Sequence, residues 1–445
     1  MTGPPGARRA AGIAPLRQIT TAIGAALVGL AGCAPHPAVA PVPLRSERPA
    51  TLPPATLSTV PSLRSSAVSQ AKLGAPLDRR RGFTATDLTA ALAAFRASCP
   101  ALVRRSDASG LTQGSDWAAP CAAAATTSDP RAFFRGAFVP VVIGGSTGLD
   151  TGYYEPDLLG SPTSRPGYVP IYRRPSDLVD LDLGTFDAAL AGKHVRGRIA
   201  GNGAGTTFVP YFDRGQIDDG ALAGRGLELA WAADRDAAFF LEIQGSGRLR
   251  LADGSIVRIG YDGQNGHAYT GIGKLLRDRG ALGPGQATMA GIIAWLRAHP
   301  AEGRDLLRQN RSKVFFKRLD LPADRGPPGA LGVSLTARTS VAADPAFVPL
   351  GAPLWLETSV AGAPFRTVVI AQDSGGAIKG ANRLDLFWGS GDAAGAVAGG
   401  ITATGDVMLL LPPVSAARLF GPPAAQSPAT PSPAAPSYAA PPPRP

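Results

Sequence analysis

The spacing of apolar residues predicts a mainly β protein with few α-helices. Short strand-like runs recur between residues 151 and 411, and glycines break them. One pair carries its own turn: Arg248-Leu249-Arg250-Leu251 and Ile256-Val257-Arg258-Ile259 flank Asp253-Gly254, the pattern of a β-hairpin. Helical spacing is confined to a few segments. With 445 residues, 44% hydrophobic and 17% charged, the chain has material for two or three domains and a sizeable core.

Residues 1–33 read as an export signal. Arg8, Arg9 and Arg17 form a positive region, and residues 19–32 make an apolar stretch too short for a spanning helix. The stretch closes with Leu30-Ala31-Gly32-Cys33, which resembles a bacterial lipobox and makes Cys33 the lipid-bearing first residue of the mature chain. A conventional signal cut near Ala38 to Ala40 is the alternative. Ala34 stands where an aspartate would favour inner-membrane retention, so the periplasmic side of the outer membrane is the expected address. Residues 34–73, rich in proline, serine and alanine, read as a tether.

The folded body is expected to open with a helix capped by Thr86 or Asp87, with Leu88, Leu92 and Phe95 on one face. Asp129-Pro130 is a helix start before Ala132-Phe133-Phe134. Thr151-Gly152-Tyr153-Tyr154-Glu155-Pro156 leads into the glycine-rich β region, where Phe239-Phe240-Leu241-Glu242-Ile243 reads as a strand. A helix over residues 286–298 follows, with Met289, Ile292, Ile293 and Leu296 inward and Pro300 as its stop. Strands are expected at residues 354–356, 367–371, 384–388 and 407–411, and residues 412–445 as a disordered Pro/Ala-rich tail.

The net charge is +11, but lysines and arginines are scattered, with one cluster at Arg79-Arg80-Arg81. That distribution excludes a nucleic-acid stripe. It suits an acidic partner, and equally follows from an arginine-rich composition. His36, His194, His267 and His299 are dispersed, so no metal and no cofactor is implied. Besides Cys33 there are two cysteines, Cys99 and Cys121, which an exported chain most simply joins in a disulfide. Gly201-Asn202-Gly203-Ala204-Gly205 lacks the spacing and strand–helix frame of a dinucleotide loop, and Gly245-Ser246-Gly247 lacks the elbow of a serine nucleophile.

The richest segment is residues 368–390. Asp373 ends the apolar run Val368-Val369-Ile370-Ala371, a stretch with Gly375, Gly376 and Gly380 follows, and Asp385 sits between Leu384 and Leu386. Strand alternation sends the two leucines to one face and Asp385 to the other. A turn that brings the carboxyls together keeps one protonated near neutral pH, because crowded carboxylates resist joint ionisation. A protonated carboxyl is what a general acid for glycosidic cleavage requires.

Together with Asp344 in Ala343-Asp344-Pro345-Ala346-Phe347, these aspartates resemble the three-aspartate (3D) domain of the membrane-bound lytic murein transglycosylase A family. The resemblance continues through residues 151–156, Gln244-Gly245-Ser246-Gly247 and Tyr261-Asp262-Gly263-Gln264-Asn265-Gly266, in the family's order. It implies a double-psi β-barrel from residues 74–155 and 285–411, with a second β-barrel domain inserted over residues 156–284 and a groove between them. Gln309-Asn310-Arg311-Ser312-Lys313 departs from the family pattern by being more basic.

The implied activity is that of a lytic exotransglycosylase, a lyase cutting the MurNAc-β-1,4-GlcNAc bond of peptidoglycan to leave 1,6-anhydro-MurNAc ends. Asp385 would be the general acid and base, Asp373 its support, and Asp344 a structural turn residue. Tyr153, Gln244, Gly245, Ser246, Gly247, Tyr261, Asn265 and Tyr269 would bind substrate. Glycan strands are the expected partner, with the outer membrane through a lipid anchor and other cell-wall enzymes as further candidates. Two rivals stand beside this: a peptidoglycan hydrolase using Asp373 and Asp385 as a pair, and a non-catalytic peptidoglycan-binding lipoprotein.

Overall fold

The structure, a computed structural model, describes residues 66–421 except 146, 202–204 and 323. Cys33, the export signal and residues 34–65 and 422–445 lie outside the described residues. Six strands close into a barrel: Thr402–Leu411, Pro353–Val360, Ala363–Asp373, Ser340–Ala342, Arg383–Ser390 and Thr147–Glu155, the last pairing back to the first. Two of these pairings are parallel, Ser340–Ala342 with Ala363–Asp373 and Arg383–Ser390 with Thr147–Glu155. Val368 to Ala371 are buried without alternation, as expected of a strand covered on both faces.

The covering layer is the helix Thr89–Leu102, which packs on Ala363–Asp373 and buries Leu92 and Phe95. Asp87 accepts from the Thr89 amide at 2.9 Å, one of the two caps expected there. Cys99 is disulfide-bonded to Cys121 on the neighbouring helix Ala118–Thr126. Closing a loop of this separation stabilises by about 3 kcal/mol in the chain-entropy model. Asp129 caps Pro130–Gly136 by accepting from the amides of Arg131 and Ala132.

A second, six-stranded sheet runs Val314–Arg318, Ile256–Gln264, Ser246–Arg250, Asp157–Ser161, Glu228–Ala232, Val169–Tyr172. The expected hairpin is present as the antiparallel pair Ser246–Arg250 and Ile256–Gln264. The sheet also takes in Val314–Arg318, beyond residue 284, paired along Ile256–Gln264. A three-stranded sheet, Val179–Asp182, His194–Gly201 and Thr206–Pro210, stands beside it in the chain.

Three sequence expectations are corrected. The run Phe239–Ile243 lies in the helix Arg235–Gln244, not in a strand. Asp234 caps it through the amides of Asp236 and Ala237, and a short apolar run has no periodicity to separate helix from strand. Residues 66–73, read as part of the tether, are packed: Ala67 is fully buried and Ala71–Leu73 pairs with Val139–Ile143. Residues 413–420, read as part of the tail, form the helix Pro413–Phe420, held by Ser415 and Arg418 on the buried carboxylate of Asp116.

Asp150, on the Thr147–Glu155 strand, is 2% exposed, and neither carboxylate oxygen has a hydrogen-bond partner among the described residues. Its oxygen fills the space a side chain at Gly405 would need. Burial pushes its pKa up to about 6, against the nearby Thr358 hydroxyl and the attraction of Arg383. A carboxyl raised in the folded state stabilises fully below its unfolded pKa near 4, and that contribution is lost as pH rises to about 6. Asp150→Asn is therefore expected to be the more stable protein at pH 8, by up to about 3 kcal/mol, with the gap closing at pH 4. Urea melts at both pH values check this; an Asn variant less stable at pH 8 would refute it.

Candidate active site

The short strand Ser340–Ala342 organises the aspartates. Ala342 pairs with Asp373 on one side and with Asp385 on the other, and Asp385 pairs onward with Thr151. Register partners point to the same face, so Asp373, Ala342, Asp385 and Thr151 form one row across four strands. At the usual strand spacing the two aspartate Cα atoms stand about 10 Å apart. A register shift skips Gln372 between Ala371 and Asp373. The bulge sends Gln372 inward, where its amide donates to the Ala94 carbonyl and the Ser98 hydroxyl at 3.0 Å each.

Asp385 is half-buried, and its Oδ1 accepts from the Thr151 hydroxyl at 2.6 Å. Arg383 Nη2 donates to the same hydroxyl at 2.8 Å, so Thr151 relays the guanidinium to the carboxylate. Burial pushes Asp385 up to about 6, against Thr151 and Arg383, with a smaller upward push from Asp373. The sequence argument expected crowding to be the cause. Desolvation is the larger effect, because a strand of closed barrel separates the two carboxyls.

Asp373 is also raised by burial, opposed by its hydrogen bonds. Oδ2 accepts from the Tyr153 hydroxyl at 2.8 Å, and Oδ1 from the amides of Ala330 at 2.8 Å and Ser374 at 2.9 Å. Both oxygens are engaged. Asp344 is buried and accepts from the Gly380 amide at 2.8 Å, which anchors the loop joining the two aspartate strands. Lys379 lies 4.0 Å from it and is exposed. Trp388 packs against the barrel beside Phe365.

Of the aromatic candidates, Tyr153 alone is bonded to the aspartate row. It is buried beside Phe387. Tyr261 and Tyr269 are 50% and 40% exposed on the second-sheet part of the chain. Gln244 accepts from the Tyr154 amide at 2.9 Å, and Gly245 ends the Arg235–Gln244 helix at φ +77°. Ser246 is buried, and at Gly247 an added Cβ would strike Leu241. Asn265 is fully buried, donating to the Phe212 and Arg311 carbonyls and accepting from the Lys313 amide. Within the chain, Gln244 Oε1, Gly245, Gly247 and Asn265 thus serve local packing and hydrogen bonding.

Thr151 and Arg383 were missed as site residues. Both stood in quoted motifs, Thr151 at the head of residues 151–156 and Arg383 two before Asp385. Arg383 shares the strand of Asp385, and only the parallel pairing with a distant strand brings Thr151 to that carboxyl.

Two family models match the chain: an MltA specific insert domain over residues 149–317 and a 3D domain over residues 339–411. The membrane-bound lytic murein transglycosylase A of Vibrio cholerae is 37% identical over 196 residues, 42% of this chain and 52% of that protein. The protein of that name from Escherichia coli is 34% identical over 281 residues, 61% of this chain and 67% of the relative. The chain thus spans about half the length of the first and two thirds of the second. A solved membrane-bound lytic murein transglycosylase from Agrobacterium tumefaciens superposes with a TM-score of 0.71 at 32% identity, covering 79% of this chain and 99% of that one. Escherichia coli MltA with bound chitohexaose superposes at 0.55 with 28% identity, over 77% and 92% of the two chains.

Thr151→Val is expected to raise the Asp385 pKa by about one unit, since the lost hydrogen bond favours the ionised form. A carboxyl-carbon NMR titration checks this; an unchanged or lowered value would show that Thr151 does not act on the carboxylate.

Proposed function

The chain belongs to the membrane-bound lytic murein transglycosylase A family, and from that premise we propose that it cleaves the MurNAc-β-1,4-GlcNAc bond of peptidoglycan, with Asp385 as acid and then base. The observation that carries this reading is the half-buried Asp385 carboxyl, raised to about 6 and held on one oxygen by Thr151, which leaves the other free for a substrate. Protonated Asp385 gives its proton to the glycosidic oxygen as the bond from C1 of the muramic residue breaks. The C6 hydroxyl of that residue then attacks C1, and its proton passes to the Asp385 carboxylate. A 1,6-anhydro ring closes, the acid is regenerated, and no water is consumed.

An internal nucleophile needs no second carboxylate to activate water. The hydrogen bonds on Asp373 favour this over a hydrolase pair, because Tyr153, Ala330 and Ser374 occupy both of its oxygens. Asp373 is then a positioning group that keeps Asp385 raised. A bound chitohexaose in a relative of the same fold supports a glycan-binding groove.

The relatives are named membrane-bound. Among the described residues no helix is long and apolar enough to cross a membrane. A lipid on Cys33, at the periplasmic face of the outer membrane, is our reading of the attachment. Residues 34–65 would act as the spacer, since a proline-rich segment reaches up to about 3 Å per residue.

Asp385→Asn is expected to lower cleavage of purified sacculi by about 100- to 10,000-fold while the protein stays folded. Wild-type rates should fall as pH rises above about 6, where the acid loses its proton. Asp373→Asn removes a charge that raises Asp385, so it should retain more activity and move that fall to lower pH. Mass spectrometry of the products tests the reaction. Anhydro ends are expected; reducing ends would indicate hydrolysis, and an unchanged sacculus a binding protein.

Replacing Cys33 with alanine should move the protein from the membrane to the soluble fraction with its activity intact. Wild-type protein already soluble after gentle lysis, with an N-terminus beyond Cys33, would end the lipoprotein reading.

A further inference from the structure

Besides the aspartate row, the inserted region holds a cavity of about 410 Å³, which shares no lining residue with that row. Its walls come from the helices Arg235–Gln244 and Pro300–Gln309, the strand Val169–Tyr172 and the Ile217–Ala221 turn. The floor is a buried charge cluster. Arg214 forks onto Glu242 at 2.8 and 3.2 Å, and Lys313 reaches the same carboxylate at 2.8 Å. The Arg214 and Glu242 side chains are 4% and 7% exposed and that of Lys313 12%. Burial pushes the Glu242 carboxyl up, but the two cations outweigh it and hold it below the usual range.

Two cations share the one carboxylate of Glu242, so both signs of charge line the floor. The next acid, Asp218, stands 3.9 Å from Lys313 and is 42% exposed. At the mouth, Arg304 and Asp305 are exposed, and neither side chain has an ion pair or hydrogen bond among the described residues. Val169, Pro170, Tyr172 and Leu307 supply an apolar wall. The volume falls within the ordinary range for small-ligand sites.

The lining narrows the ligand class. Carboxylates at Asp218, Asp219, Glu242 and Asp305 repel a phosphate or a polyanion. Cations at Arg214, Arg235, Arg304, Arg308 and Lys313 repel a polyamine. A neutral sugar would stack on exposed aromatic faces, whereas Tyr172 is 6% exposed and Phe239 lies beneath Arg214 at 4.6 Å. A molecule bearing both signs and an apolar body remains.

We infer that this cavity binds a short peptide with free carboxylate and free amine, the carboxylate toward Lys313 and Arg304 and the amine toward Asp218 and Asp305. This deepens the proposed function and rests on it for the peptide's source, the stem peptides that murein glycan carries. A second anchor of this kind would let the protein recognise peptide-bearing strands apart from bare glycan.

The test is calorimetric titration of the full chain carrying Asp385→Asn, so that glycan is not consumed. The probes are a synthetic N-acetyl-alanyl-glutamyl-lysine tripeptide with free C-terminal carboxylate and free lysine amine, the same tripeptide amidated at its C-terminus and acetylated on the lysine, and chitohexaose. The free tripeptide should bind, blocking its charged ends should weaken it at least tenfold, and adding Arg304→Ala should weaken it about three- to tenfold. Arg304 is exposed and unbonded, so its removal leaves the fold in place; Asp218→Asn serves as a second variant with the same expected loss. No tripeptide binding, or binding indifferent to blocked ends and to both substitutions, overturns the inference. Chitohexaose separates the two readings: if it binds and the tripeptide does not, the cavity inference fails alone. If the tripeptide binds and chitohexaose does not, the glycan reading fails alone.

Discussion

The buried ion pair between Glu155 and Arg258 holds the barrel and the second sheet in one frame. Glu155 is fully buried at the end of a barrel strand, and Arg258 lies on the Ile256–Gln264 strand of the second sheet. Three bonds of 2.9, 3.0 and 3.3 Å join them, and Nη1 of the guanidinium donates to the Pro322 and Arg325 carbonyls. Ser390 completes the carboxylate from the neighbouring barrel strand at 2.7 Å. Such a pair is weak evidence of net stability, since desolvating both charges offsets much of their attraction. Its effect is on geometry: removing one partner would strand the other charge in an apolar interior, typically at about 3–5 kcal/mol.

The same strand face reaches into the aspartate row. Thr151, Tyr153 and Glu155 alternate along it, and they bond Asp385, Asp373 and Arg258 in turn. Strand periodicity makes these three contacts one device, so a one-residue slip would lose all of them together. Asp150 occupies the opposite face, where its oxygen fills the space beside Gly405. The two aspartates of the row differ in their surroundings. Asp373 has both oxygens bonded and Asp385 has one, so similar burial leaves only Asp385 with an unengaged oxygen.

Several features of the fold were legible along the chain. The hairpin around Asp253-Gly254, the barrel strands ending at Asp373 and around Asp385, and the disulfide between Cys99 and Cys121 follow from alternation, turn chemistry and cysteine number. Other segments were ambiguous for physical reasons. The run at residues 239–243 is apolar on too many sides for a period to show, and a capping aspartate at Asp234 made it a helix. The Pro/Ala-rich composition of the presumed tether and tail hid the strand Ala71–Leu73 and the helix Pro413–Phe420, because composition does not record pairing or a buried carboxylate such as Asp116.

By itself the sequence determined the element types of most of the body, the motif set that places the chain in its family, and the two aspartates that one strand row brings together. These are local properties, set by neighbours within a few residues. Only the tertiary structure decided which groups act on Asp385. Thr151 lies 234 residues away, and a parallel strand pairing brings the two together. It also decided that Asn265, a polar residue in a glycine-rich motif, spends its amide on backbone groups of the same chain, and that Gln244 Oε1 accepts from the Tyr154 amide. Hydrogen-bond satisfaction in a buried site depends on every element that surrounds it, and that information is spread over the whole chain.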